Sequence, residues 1–245
     1  MTSIALGAIG AEAVTNVIDR NIDSLMQRTK CRPLPSGAIG CGEALALGMI
    51  TIAASLTLAG SLGALPLLLI AIGLLDNIVV YSLLSKRTTP WSIVLGSISG
   101  GVPVWAAFAA VRLPISAAGW LLGVLVMVWI PLHIWSIAYM YADDYRLAGV
   151  PVAPVAWSRR RFTSALAAAS VLMLLIAIVA NNLIWSGEAI PLLLADLAAA
   201  AMLAFTIGFA RKPSEQGAKK LFMACNVYLL LLFLGVIFTV VVISR

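Results

Sequence analysis

Charge is what this chain lacks. Only 11% of its 245 residues are Asp, Glu, Lys or Arg, against 62% hydrophobic, and the mean hydropathy is +1.05. A soluble globular domain carries about a quarter charged residues, so that class is excluded. Metal-ligating side chains are scarce as well: there is one histidine, His133, and the three cysteines Cys31, Cys41 and Cys225 show no CxxC or other ligand spacing. The cysteines are expected to be reduced packing residues. No basic start with a small-residue cleavage site marks a secretory signal peptide. The apolar stretches also lack the period-two alternation that strands of an outer-membrane barrel require.

What the chain has instead is runs of about 20 apolar residues, enough to cross a hydrocarbon core of about 30 Å as helices. Bounded by charge or by Gly and Pro, eight candidate spans run over about 2–18, 39–62, 64–84, 92–112, 115–141, 162–185, 188–210 and 221–244. The expected fold is all-α, a polytopic transmembrane bundle forming a single domain over 1–245. If the spans alternate, every Lys and Arg except Arg112 and Arg245 falls on one side. That asymmetry places those loops in the cytoplasm and residue 1 outside. It accounts for the net charge of +6 without a nucleic-acid partner. An even number of spans leaves both termini outside, which leads us to expect one more span before Met1.

Positive-inside sorting does not explain acids. In "NVIDRNIDSLMQRTKCRPLPSG", Asp19 and Asp23 stand four apart, on one face of a helix, ahead of Arg28, Lys30 and Arg32. Such a pair could merely balance neighbouring cations. A second acidic cluster on the same side, Asp143 and Asp144 in "YADDYRLAGVPVAPV", weighs toward a shared ligand. Mg²⁺ suits one or two carboxylates plus phosphate oxygens, and basic side chains neutralise the remaining phosphate charge. An allylic diphosphate ionises to a carbocation as the leaving group gains charge, so this donor set favours that step, with an apolar chamber for the isoprenoid tail.

The motifs resemble the UbiA-type intramembrane prenyltransferases, and within them the heme O synthases. "DRNIDSLMQRTKCRPLPSG" is similar to the signature DRxIDxxMxRTxxRPLPxG. "YSLLSKRTTPWSIVLGSISGGVPVWAAFAAV" resembles the family's tyrosine, KRxT and Gly-rich span, "WIPLHIWSIAYMYADDYRLAGVPVAPV" its PxHFW…DYxxAGxPMxPV block, and "AKKLFMACNVYLLLLF" its last helix. The resemblance implies farnesyl transfer from farnesyl diphosphate to the vinyl group of heme b, giving heme O, with Mg²⁺ as cofactor. It implies metal binding by Asp19, Asp23, Asp143 and Asp144, and substrate binding by Asn16, Arg28, Lys30, Arg32, Lys86, Arg87 and Tyr145. The catalytic set would be Asp19, Asp23, Asp144 and His133, the histidine ligating heme iron or handling a proton. The setting implied is a multi-pass protein among cell-membrane lipids with cytoplasmic active-site loops, beside a downstream heme-modifying enzyme or terminal oxidase assembly.

Two departures stand out. Where the family has Asn four residues before the first motif Asp, this chain has Thr15, with Asn16 next. The family's nine helices include a first helix without a counterpart here. Asp76 lies inside a span without an assigned role, and Glu12 is expected to brace a basic residue. The rival readings are the same chemistry on a quinone precursor or lipid glycerol phosphate, and a non-enzymatic transporter or heme carrier. The PLHIW and DDYxxAGVP blocks argue against the first, and the lack of a clear internal repeat argues against the second.

Overall fold

The computed structural model describes residues 1–111, 114–184 and 190–243. Arg112 and Arg245, the two basic residues expected on the outer side, lie outside the described residues. Among the described residues there is no strand, and seven helical segments are long and apolar enough to cross a membrane. They are Cys41–Leu62, Ala64–Ser85, Ser92–Ala110, Ala117–Met140, Arg159–Leu183, Leu194–Arg211 and Glu215–Phe238.

The first expected span, 2–18, is different. Helix α1 runs unbroken over Thr2–Leu25 and is not among the seven, because it carries Glu12, Asp19, Arg20 and Asp23 within the helix instead of ending before them. No Gly or Pro stops it until the chain turns at Met26. It lies against α2 (Cys41–Leu62) at very close range. At the crossing, a Cβ on Gly10 would sit 2.8 Å from the Gly48 carbonyl oxygen, and one on Gly48 2.8 Å from Val14 Cγ2. Above it Ser3 Oγ donates to the Ser55 carbonyl at 2.8 Å, and Ser55 Oγ donates back to the Ser3 carbonyl at 2.7 Å. Small residues allow backbones this near, and reciprocal hydroxyls tie them where no water competes.

Helix α3 (Ala64–Leu75) continues directly into a π-helix over Asp76–Ser85. The span expected over 92–112 is broken into a short α4 (Ser92–Leu95) and α5 (Ile98–Ala110). Then follow α6 (Ala117–Met140), the short α7 (Ala142–Leu147) and α8 (Ala153–Ala156), α9 (Arg159–Ile184), α10 (Ile190–Arg211) and α11 (Glu215–Ile243). Three apolar cores result, the smallest joining Ile22 and Met26 at the end of α1 to Ala138, Val150 and Val152. One joins α6, α9, α10 and α11 around Leu125, Leu132, Leu166, Met173, Met202 and Tyr228. Another joins α2, α3 and α5 around Ala59, Leu69, Ile70, Val102 and Trp105.

Candidate functional site

The last two turns of α1 bring Asp19 and Asp23 to one face, as their spacing requires, and both are buried. Buried carboxylates need partners, and each has one supplied from elsewhere in the chain. Asp19 is paired through Oδ2 with Lys86 Nζ, while Arg87 lies 4.0 Å from Oδ1 and donates to the Ile18 carbonyl at 2.6 Å. Asp23 Oδ2 accepts from Arg32 Nη1 at 3.0 Å, and the same nitrogen reaches Asn16 Oδ1 at 3.3 Å. Thr29 Oγ1 donates to the Asp23 carbonyl at 2.9 Å, so the loop after α1 folds back over the helix end and returns Arg32 to it.

The π-helix supplies the opposite wall. Its wider turn closes with Lys86 N–H donating to the Tyr81 carbonyl, five residues back, at 2.8 Å. Asn77, Tyr81 and Lys86 thereby face one cavity. Asp76, next to Asn77, faces away and accepts the Ser99 backbone N–H at 2.8 Å. Asp76 thus caps the first turn of α5 from a neighbouring helix, which explains an acid buried within a span. Lys86 lies just beyond that span. Burial opposes its charge, but the attraction of Tyr81 and Asp19 prevails and holds its pKa above the ordinary lysine value.

The third wall comes from α6 and α7. The sequence "RLAGVP" ends α7 in a left-handed glycine: Gly149 has φ 69°, with Gly149 N–H donating to the Arg146 carbonyl at 3.1 Å and Val150 N–H to the Tyr145 carbonyl at 3.0 Å. That stop fixes α7 so that Tyr145 lines the cavity and Asp144 Oδ2 accepts the Arg28 backbone N–H at 3.1 Å. Adjacent residues on a helix point about 100° apart. Asp143 is accordingly exposed and paired with Arg146, away from Asp19 and Asp23.

The cavity so enclosed measures ≈290 Å³ and is lined by Glu12, Thr15, Asn16, Asp19, Asp23, Arg28, Arg32, Asn77, Tyr81, Lys86 and Tyr145, with Ile134 and Ile137 from α6. It therefore gathers Asn16, Asp19, Asp23, Arg28, Arg32, Lys86 and Tyr145 from the sequence-derived set, and Thr15 with them. Arg87 stands behind Asp19, Asp144 holds the loop, and Lys30 is exposed and outside the lining. His133 is elsewhere: its ring stacks between Trp129 and Phe222, with centroids 4.4 and 4.6 Å away. Glu12, expected to brace a basic residue, forms no ion pair among the described residues; Asn16 Nδ2 donates to its Oε1 at 3.2 Å. Sequence reasoning missed Asn77, whose only signal was an amide inside an apolar run, four residues before Tyr81.

An apolar cavity of ≈260 Å³ between α1, α3, the π-helix and α5 shares Glu12 and Asn77 with the polar one. Among the described residues no three His, Cys, Asp or Glu side chains come together. Two carboxylates suffice for Mg²⁺, which completes its shell with water and phosphate oxygens. Asp19 Oδ1 is buried and accepts no hydrogen bond, Arg87 being too far to donate one, so a hard-oxygen ligand atom is already desolvated at the cavity. The residues fit the ion.

The family model described as the UbiA prenyltransferase family matches residues 1–234. The chain is 39% identical over 239 residues to the protoheme IX farnesyltransferase of Thermoplasma volcanium, covering 96% of this chain and 82% of that protein. To the protein of the same name from Thermoplasma acidophilum it is 37% identical over 236 residues, with coverages of 96% and 82%. Among solved structures, the apo form of a UbiA homologue from Aeropyrum pernix K1 superposes with a TM-score of 0.71 at 22% identity, covering 94% of this chain and 86% of that one. A UbiA homologue from Archaeoglobus fulgidus bound to GPP and Mg²⁺ gives 0.65 at 14% identity, with coverages of 96% and 88%. The structural likenesses show the fold, and the family match over nearly the whole length shows the lineage: this chain belongs to the UbiA prenyltransferase family.

Proposed function

We propose that the chain is a membrane farnesyltransferase that transfers the farnesyl group of farnesyl diphosphate to the vinyl group of heme b, with Mg²⁺ held by Asp19 and Asp23. The supporting observation is the chamber's polarity gradient: Lys86, Arg28 and Arg32 stand beside two carboxylates at one end, and an apolar cavity opens past Glu12 and Asn77 at the other. An isoprenoid diphosphate has that same gradient along its length. The names of the relatives, both protoheme IX farnesyltransferases, support heme as acceptor.

In this reading, bound Mg²⁺ supplies positive charge that a departing diphosphate needs. Lys86 and Arg32, each already within reach of the cavity through its carboxylate, add fixed charge in a site shielded from water. Arg28 and Asn16 orient the phosphate oxygens, Tyr145 closes the chamber from α7, and Ile134 and Ile137 keep water from the cation. Asp144 acts by fixing the Arg28 backbone. The basic loops face the cytoplasm, and the product would pass to a heme-modifying enzyme or terminal oxidase assembly.

The test is to incubate the purified chain with heme b, farnesyl diphosphate and Mg²⁺ and examine extracted hemes by mass spectrometry. Farnesylated heme is expected, and none when EDTA is added. No product from a folded chain overturns the acceptor; product surviving Asp19→Ala with Asp23→Ala overturns the site.

A further inference from the structure

Glu12 is the one carboxylate of the lining that the phosphate chemistry leaves unused. Asp19 is paired with Lys86 through Oδ2 and offers Oδ1 to Mg²⁺, and Asp23 is paired with Arg32. Glu12 has no ion pair among the described residues, and its carboxylate accepts from Asn16 Nδ2 at 3.2 Å through Oε1, while its carbonyl accepts from Thr15 Oγ1 at 3.1 Å. Its position is equally particular. Glu12, an exposed residue, and Asn77 line both the polar cavity and the apolar one, so they stand at the boundary the two share. A third, mainly apolar cavity of ≈430 Å³ against α2 is also lined by Glu12, together with Asn16, Asp23 and Arg32. With diphosphate among the cations and the prenyl tail in the apolar cavity, the carbon that changes partners lies at that shared boundary.

We propose that Glu12 is the proton acceptor of the reaction's final step, a role that rests on the prenyl-transfer reading above. The step balances as follows. The bond from the prenyl carbon to the diphosphate oxygen breaks with its electron pair on oxygen, and the acceptor's vinyl π pair forms the new carbon–carbon bond. A carbocation then remains on the acceptor. It is discharged either by loss of a C–H proton, which restores the double bond, or by addition of water, whose O–H proton must leave. Both routes release one proton beside an apolar cavity, and Glu12 is the carboxylate at that place not already paired with a cation. His133 is excluded by its location between Trp129 and Phe222.

The experiment compares the unaltered chain with Glu12→Gln and Glu12→Asp in detergent with Mg²⁺, farnesyl diphosphate and heme b. General-base removal predicts a fall in kcat for product of about 10²-fold in Glu12→Gln, with KM for farnesyl diphosphate unchanged within about twofold and about tenfold recovery in Glu12→Asp. Thermal-shift binding of farnesyl thiodiphosphate, which does not ionise readily, should be equal in all three. The product mass tells proton loss from water addition. Product from Glu12→Gln within about threefold of the unaltered chain overturns the proposal. So does loss of analogue binding or of the melting transition in that variant, since either makes Glu12 a part of the site's architecture. If the unaltered chain leaves heme unmodified, the acceptor reading fails and Glu12 is judged on farnesyl diphosphate alone. There the unaltered chain should release farnesene by proton loss and Glu12→Gln only farnesol; identical mixtures overturn the role.

Discussion

The two halves of the bundle solve opposite problems. Helices α6, α9, α10 and α11 enclose a dry core in which Leu125, Leu132, Leu166, Met173 and Met202 are fully buried, and the polar contacts there include Ser170 Oγ to Thr206 Oγ1 at 2.8 Å and Trp129 Nε1 donating to the Cys225 carbonyl at 2.8 Å. Among the described residues, no ion pair lies within or between α9, α10 and α11. The half built from α1 to α5 has a smaller core, helices broken into short pieces, and buried charges that meet around an open chamber. An open chamber ringed by ion pairs is tolerated in one half because the other is closely packed, Asp196 on α10 bonding there to Asn181 on α9. Helix α6 belongs to both, packing Leu132 and Trp135 into the dry core and turning Ile134 and Ile137 to the chamber.

If that division holds, substitutions should separate activity from stability by location. The largest effect is expected from Asp19→Asn with Asp23→Asn, a loss in kcat/KM on the order of 10³-fold or more in a turnover assay. Lys86→Met should cost about 10²-fold and Arg87→Met only a few-fold, because Lys86 contacts Asp19 in a buried pair whereas Arg87 is 45% exposed at 4.0 Å. A similar loss for both would erase the distinction between chamber and rim. Leu166→Ala, in the dry core, should lower stability by about 2–5 kcal/mol in a thermal melt and leave KM of the folded fraction unaltered. A large KM change there would show that the halves are coupled. Asp143→Asn should change activity by less than about twofold, since its partner Arg146 is also exposed. The pH response should be smaller still. The pKa of Lys86 is raised, so its stabilising charge is complete below the unfolded value of about 10.4 and is lost only as pH climbs through the higher folded one. Melting temperature should show no loss from this pair between about pH 7 and 9.5.

The all-helical bundle was legible because apolar runs of membrane length have few alternative folds, and the cluster of Asp19, Asp23 and Arg32 was legible because it lies within fourteen consecutive positions of one motif. What escaped was whatever depends on helix register. Asp143 and Asp144 are equivalent as letters, yet only Asp144 turns toward the Arg28 backbone. His133, a lone ionisable residue in a span, suggested chemistry, and its register sets its ring between Trp129, four residues earlier, and Phe222, on α11, outside the chamber's lining. Asp76 and Asn77 differ in the same way, one bonding to α5 and the other lining the chamber. Apolar periodicity also gave no sign that α1 would extend to Leu25, because ion pairs from distant loops, not local composition, accommodate its acids.

The π-helix over Asp76–Ser85 has a genetic consequence. Its wider turns accommodate extra residues relative to an α-helix over the same rise, and removing a single codon between those for Asn77 and Lys86 would favour ordinary α-turns there. Such a deletion would relieve an uncommon backbone and leave Lys86 near its present direction, whereas the same deletion within the α-helical Ala64–Leu75 would turn everything after it by about 100°. A shorter chain of this kind would fold and keep the pairing of Lys86 with Asp19. The π-helix is therefore the place in this span where one residue can be lost with least disturbance to the chamber.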